Sequence, residues 1–399
     1  MIPYPVPHIL TMNLVTVSNG DYLPLAHTQI ADATTTEAYN QTYMFKSGTW
    51  LGLSVYVRIA NASGDVTFTV RKNGADTGLT ITIPQNTTGL FQDLTNTVSV
   101  AVGDLMSIGV TATAGTIDPI SVTTLFESDS GSSVQYFMAH SDTGSTFSNS
   151  ARFIRPSSNN IANNVTVEAN AENMIQHDST IEGVAVYVSS NTRTGTTTVR
   201  SRVNSTIGIS VSFATTLTGM FTNTGSQSMT AGDDFNSEYF FSGGSGSVVL
   251  RTVVLCVVST NPREITFLSG NQVNRNTTNT NNSWNFAGGL SMFSGATESV
   301  GRSYPITPGV FSGLAYYASA NTSTQDLAMV MRKNGADGNE TITYTGTGWI
   351  QDTTNSDVFD NNDFSTIRAT RAASGSGTTT FQHHSIKYTM DPLLKIVVS

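Results

Sequence analysis

Val66-Thr67-Phe68-Thr69-Val70-Arg71-Lys72-Asn73-Gly74-Ala75-Asp76-Thr77-Gly78-Leu79-Thr80-Ile81-Thr82-Ile83 reads as a strand, a turn and a returning strand. Val66, Phe68 and Val70 alternate with Thr67, Thr69 and Arg71, and Leu79, Ile81 and Ile83 alternate with Thr80 and Thr82. Successive side chains of a strand point to opposite faces, so the stretch predicts a hairpin with one apolar and one wet side. Asn73-Gly74 supplies two residues that accept positive φ, as a tight reversal requires.

The phrase returns as Met331-Arg332-Lys333-Asn334-Gly335-Ala336-Asp337 and, degenerate, as Arg202-Val203-Asn204-Ser205-Thr206. Asn73, Asn204 and Asn334 stand at near-equal intervals along the chain. Other landmarks keep that spacing: Glu37, Glu168 and Glu298; Gly52, Gly183 and Gly313; Gly89, Gly219 and Gly348; Asp104, Asp233 and Asp363. Shared composition does not produce five rulers in register, so the chain holds three copies of one unit. Each of the glycines Gly52, Gly183 and Gly313 is expected to open a strand. The second copy lacks the Asn-Gly pair, and its turn is expected to differ.

Each copy carries about seven or eight short strands with turn signals between them and no sustained helical period. The fold class is therefore all-β: three tandem antiparallel β-sandwich domains of jelly-roll-like type. The organisation read from the spacing is an arm at 1–22, repeats at 23–128, 129–260 and 261–390, and a tail at 391–399. Pro3, Pro5 and Pro7 mark the arm as extended. Two arrangements of the repeats are open, a compact one around a pseudo-threefold axis and an extended string.

Hydrophobic residues make up 38% of the 399 and charged residues only 12%, against the roughly 25% usual in soluble domains. Thr, Ser, Asn and Gly fill the difference, which suits strands and turns. The longest apolar run, Val248–Ser259, is interrupted by Arg251 and Thr252, far short of the roughly 18 apolar residues that span a bilayer. A net charge of −9 with 19 Lys and Arg argues against a nucleic-acid partner. Cys256 stands alone, so no internal disulfide forms, and its apolar surroundings predict an inert thiol. The first residues lack a basic stretch followed by an apolar one, so the chain is expected to be made in a cytoplasm.

No constellation for catalysis stands out, and no catalytic, cofactor-binding or metal-ligating residue is assigned. The histidines are His8, His27, His140, His177, His383 and His384. The adjacent pair His383-His384 sits in a strand pattern, so its rings point to opposite faces and cannot share one metal. A surface pair is expected. Asp233-Asp234 and Asp360-Asn361-Asn362-Asp363 offer oxygen donors, but neither has the glycine or closing glutamate of a calcium loop, and turn chemistry explains them. Ser245 lies between glycines with no helix following, unlike a hydrolase nucleophile. Glu37, Glu168 and Glu298 recur with the repeat and are read as structural rather than as glycosidase acids. Arg71-Lys72 and Arg332-Lys333 close hairpins, where long charged heads are expected in water.

The hairpin Val66–Ile83, with the following Thr97-Val98-Ser99-Val100-Ala101-Val102-Gly103-Asp104-Leu105-Met106-Ser107-Ile108, resembles a recurrent β-sandwich module. That module occurs in structural proteins of tailed bacteriophages and related viruses. The resemblance covers one hairpin and one strand pair per copy, is best in the first, weaker in the third, and fails in the second at its turn. It implies a non-enzymatic virion component, a capsid decoration or cement protein, a head fibre or a tail module. It also implies binding to the major capsid protein or other virion proteins, with self-association as a further option. No cofactor, nucleic acid or membrane is expected, and localisation is the virion. The second reading is an adhesin for a receptor or carbohydrate. Aromatic platforms for a glycan come down to Trp50, Trp284 and Trp349, of which Trp50 and Trp349 are expected to pack. The Pro-rich arm is the expected docking segment.

Overall fold

The computed structural model describes residues 8–14, 16–26, 28–30, 34–147, 151–158, 161, 165–269, 273–276, 281–284, 302–304, 308–360, 362–371 and 376–391. In the first sandwich the main strands are β1 (His8–Leu14), β2 (Tyr22–Pro24), β3 (Gly48–Ala60), β4 (Val66–Lys72), β5 (Ala75–Ile83), β6 (Gly89–Asp93), β7 (Leu105–Ala112) and β8 (Thr116–Ser128). The second repeats them as β9 (Ser133–Phe147), β10 (Arg152–Ile154), β11 (Ser179–Asn191), β12 (Thr196–Val203), β13 (Thr206–Phe213), β14 (Gly219–Met229), β15 (Asp234–Ser242) and β16 (Val248–Ser259). The third has β17 (Glu264–Ser269), β18 (Asn281–Trp284), β19 (Gly309–Asn321), β20 (Leu327–Lys333), β21 (Ala336–Tyr344), β22 (Gly348–Gln351), β23 (Ser365–Arg371) and β24 (Thr378–Met390).

Strand order is the same three times. One sheet runs β1-β8-β3-β6, β9-β16-β11-β14 or β17-β24-β19-β22; the facing sheet runs β2-β7-β4-β5, β10-β15-β12-β13 or β18-β23-β20-β21. The first strand lies beside the last and the third beside the sixth, which is the double Greek key of a jelly roll. Residues 8–14, expected in an arm, instead pair with β8 from His8↔Phe126 to Met12↔Val122. They supply the first strand that the first repeat, read from residue 23, lacks.

The hairpin pattern sets the core. In β4 Val66, Phe68 and Val70 are buried, and in β5 Leu79, Ile81 and Ile83. The turn residues Asn73 and Gly74 have φ of 52° and 81°, and Asn334 and Gly335 have 50° and 83°. Asn204 and Ser205 adopt 45° and 63°, so the second turn keeps the conformation it was expected to lose. Its surroundings over-determine it. Asn204 donates through Nδ2 to Asp233 Oδ1 at 2.7 Å and accepts from the Asp234 amide at 3.0 Å. The same pair of bonds joins Asn73 to Asp104 and Leu105, and Asn334 to Asp363 and Phe364. Ser205 adds a hydroxyl bond to Glu168 of 2.9 Å, which offsets part of the cost of left-handed backbone on a residue with a Cβ.

Gly52, Gly183 and Gly313 do not open strands. They lie inside strands of 13 residues each, at breaks of register against β8, β16 and β24. A β-bulge there re-aims the strand.

In the apolar run Val248–Ser259 every residue from Thr252 on is buried, because both faces of the strand are covered there. Val253, Leu255 and Val257 belong to the core of the second sandwich. Val254, Cys256 and Val258 belong with Val134, Tyr136 and Met138 to the core of the first. A strand buried on both faces loses its alternation.

Candidate functional site

The feature that distinguishes this molecule from three separate domains is the set of seams between sandwiches. In the first seam, residues 39–46 of the first sandwich rest on β9, β11 and β16. Tyr136 Oη accepts the amides of Phe45 at 3.1 Å and Lys46 at 3.2 Å. Lys46 pairs with Glu182, and the Tyr39 ring lies 5.8 Å from Tyr187 with the Arg251 guanidinium 4.1 Å over it. Gly183 leaves the space that the Phe45 ring fills, since a Cβ there would stand 2.5 Å from Phe45 Cε1.

The second seam repeats the arrangement one unit on. Gln176 stands in the second repeat where Phe45 stands in the first, and it reaches the place beside Gly313, the third repeat's counterpart of Gly183. It donates to Ser385 Oγ at 2.7 Å and its amide donates to Thr266 Oγ1 at 3.1 Å. Gln351 donates to its Oε1 at 2.5 Å. Gln135 imitates a strand, accepting the Thr266 amide and donating to the Thr266 carbonyl, both at 2.9 Å. Arg155 donates to Gln382 at 2.8 Å.

In the third seam residues of the last sandwich return to the first. The rings of Tyr304 and Tyr56 are 4.7 Å apart, and Arg302 donates to the Tyr56 hydroxyl at 3.4 Å. Leu125 of β8 joins the core of the third sandwich. A string of beads has no such third seam. First onto second, second onto third and third onto first close a head-to-tail ring with pseudo-threefold order.

This packing corrects the histidine reading. His383 and His384 are fully buried: His384 turns into the core of its own sandwich beside Tyr316, and His383 lies on the opposite face of β24, which the second sandwich covers. The His384 ring stacks on Tyr316 at 5.0 Å, and His383 lies 5.9 Å from Tyr317 and 6.4 Å from Trp349. Burial, with the Arg155 charge nearby, holds the His383 imidazole neutral, well below its usual range. His177 is also buried and driven down to about 4 by desolvation. His140 is buried, while the side chains of His8 and His27 lie outside the described residues.

The remaining candidates settle into structural roles. Glu37 receives Arg71 Nε at 2.9 Å and the Ser107 hydroxyl at 2.7 Å; Glu168 receives Arg202, Asn236 and Ser205. Glu298 lies outside the described residues. Arg71 and Arg332 do not sit free in water: they bridge to Asp76 and Asp337, and Lys72 and Lys333 reach Asp104 at 3.0 Å and Asp363 at 2.8 Å. Asp104, Asp233 and Asp363 each accept the amide three residues earlier, from Ala101, Thr230 and Asp360, which closes a turn. Ser245 exchanges bonds with Thr194 in a loop. Trp50 is buried 4.9 Å from Phe126, and Trp349 is half-buried against Tyr317 at 5.5 Å. Cys256 is buried, its thiol pushed up by desolvation. Among the described residues no three His, Cys, Asp or Glu side chains cluster as a metal site, and no helix is long and apolar enough to cross a membrane.

One repeated device escaped the sequence reading although it was legible there: Gln92-Asp93-Leu94-Thr95-Asn96 and Gln351-Asp352-Thr353-Thr354-Asn355. Asp93 accepts the amides of Thr80, Thr95 and Asn96, and Asp352 those of Thr341, Thr354 and Asn355. The turn splits the sixth strand and ties its sheet to β5 or β21. The second sandwich has Thr222-Asn223-Thr224 there, and β14 runs unbroken.

No protein-family model and no curated protein matches the chain. Among solved structures it is similar to a protein from work on a triple jelly roll fold and turret assembly in an archaeal virus. That match has 12% identity, 97% of this chain and 91% of that one covered, and a TM-score of 0.20. It is also similar to a chain from the atomic structure of Sulfolobus turreted icosahedral virus (12%, 87% and 81%, 0.18) and to infectious bursal disease virus VP2 in a subviral particle (8%, 97% and 81%, 0.18). The class this chain belongs to is set by its own strand order: all-β, three jelly rolls in one polypeptide.

Proposed function

We propose that the chain is a non-enzymatic structural protein of a virion, a capsid decoration or cement protein that binds the major capsid protein or another virion component. The observation that carries this reading is the closed ring of seams. One polypeptide makes for itself the trimer-like body that jelly rolls otherwise assemble from three chains, and covalent linkage removes the concentration dependence of that assembly. The hydrogen bonds of Gln135, Gln176 and Gln351 tie the second seam without a disulfide. Glu37 and Glu168 are held in salt bridges, Asp104, Asp233 and Asp363 in turns, and His383 in a seam. The resemblance of the Asn-Gly hairpins to viral β-sandwich modules supports the same reading.

The test is to purify particles from the source of the chain, strip the protein and add it back. Saturable rebinding at a fixed copy number per particle is the expected result. Failure to rebind, together with a specific hit on a glycan array, establishes the adhesin instead.

A further inference from the structure

We propose that two copies of this chain associate through β14 of the second sandwich, the strands pairing antiparallel about a twofold axis centred on Gly225. The first observation is a contrast inside one molecule. The sixth strand is the outer edge of its sheet in all three sandwiches. In the first it is cut into Gly89–Asp93 and Val98–Val100, and in the third into Gly348–Gln351 and Ser356–Phe359. Asp93 and Asp352 break it, and both edges carry an aspartate, a standard protection against edge-to-edge pairing. In the second sandwich the edge is 11 residues long, Gly219–Met229, with no break, no proline and no charge. Residues 222–226 and 228 along it are exposed. The neighbouring edge strand β13 is uncharged too.

The second observation concerns the occupant. Read outward from Gly225, the strand is chemically palindromic: Thr224 mirrors Ser226, Asn223 mirrors Gln227, Thr222 mirrors Ser228, and Phe221 mirrors Met229. In an antiparallel pair, directly opposite residues share a face. The twofold register therefore sets hydroxyl against hydroxyl on the outer face and amide against amide on the inner one, with Phe against Met at each end. Such cross-strand pairs are favourable, and like charges, which would forbid self-pairing, are absent. Asn223 and Gln227 already donate to the Ser210 carbonyl at 2.8 Å and the Thr206 carbonyl at 3.0 Å, which holds the inner row in place, while no strand among the described residues pairs with the outer side of β14. Eleven residues at ~3.4 Å each make an edge of roughly 37 Å, and the product is one continuous eight-stranded sheet across two copies.

Sedimentation equilibrium on the full chain tests this. The wild type is expected to form dimers of twice its 42.4 kDa. T224K, on the exposed face, is expected to weaken dimerisation at least about tenfold, because the twofold axis brings two unpaired lysines into the shared edge. An equimolar mixture of T224K and S226E, which face each other in this register, is expected to regain dimers. A wild type monomeric up to ~100 μM, a T224K dimer of undiminished strength, or a mixture that fails to recover each overturns the proposal. Circular dichroism of each variant shows whether the fold is intact, and the proposal does not depend on capsid binding.

Discussion

Substituting Gly183 by Ala probes the first seam directly. Gly183 sits at the bulge of β11, and its missing Cβ is the volume occupied by the Phe45 ring. An added methyl would stand 2.5 Å from Phe45 Cε1 and 2.7 Å from Cγ, so the ring must leave. It has little freedom to shift in place, since Tyr43 lies edge-on at 4.8 Å and Tyr136 anchors the Phe45 amide at 3.1 Å. Phe45 is only 6% exposed, and exposing a buried phenylalanine costs about 1.5–3 kcal/mol. Overpacking that keeps the ring inside costs about the same. Gly183→Ala is therefore expected to lose about 2 kcal/mol in urea unfolding. Gly78→Ala, with nothing within 4 Å of the added methyl, serves as the benign control. The decisive measurement is the double-mutant cycle with Phe45→Ala. Removing the ring removes the clash, so the double variant is expected to match Phe45→Ala alone, with a coupling of about 2 kcal/mol. Additivity within about 0.5 kcal/mol would refute the packing described for this seam.

Two further expectations follow from buried carboxylates. Burial alone would raise Asp352, but bonds from the Thr341 amide, the Asn355 side chain and the amides of Thr354 and Asn355 bring it down to about 2. Its contribution is thus present above the ordinary carboxylate range and lost as pH falls toward 2. Asp352→Ala is expected to destabilise by about 1–3 kcal/mol at pH 7, and a loss below about 0.5 kcal/mol would remove the edge-lock role. Glu340 behaves in the opposite sense. It is fully buried where the other repeats have Leu79 and Ile209, accepts the amides of Gly313 at 3.0 Å and Leu314 at 2.9 Å, and is raised to about 7 by burial and by Asp352 and Asp357. A raised group gives stability that is full below its unfolded value and lost as pH rises through about 7. Stability is expected to decline between about pH 5 and pH 8, and Glu340→Gln to flatten that slope; an unchanged slope would place the titration elsewhere.

The period-2 alternation, the Asn-Gly turns and the constant spacing of the landmarks by themselves determined strands, hairpins, three repeats and the all-β class, because each depends on neighbours in the chain or on recurrence along it. The Asp-x-Thr-Asn turn is equally local, and its recurrence was there to be read. Whether Ser205 would accept a left-handed conformation depended on Asp233 and Glu168, which lie on other elements, and only the folded unit shows those bonds. The same holds more strongly for His383. Alternation reports which face of a strand meets its own sandwich, but says nothing about what covers the other face. That second face is buried here by another repeat, through contacts between residues remote from one another in sequence. Only the tertiary structure decided that three domains make one ring, because ring closure is a property of shapes meeting in space.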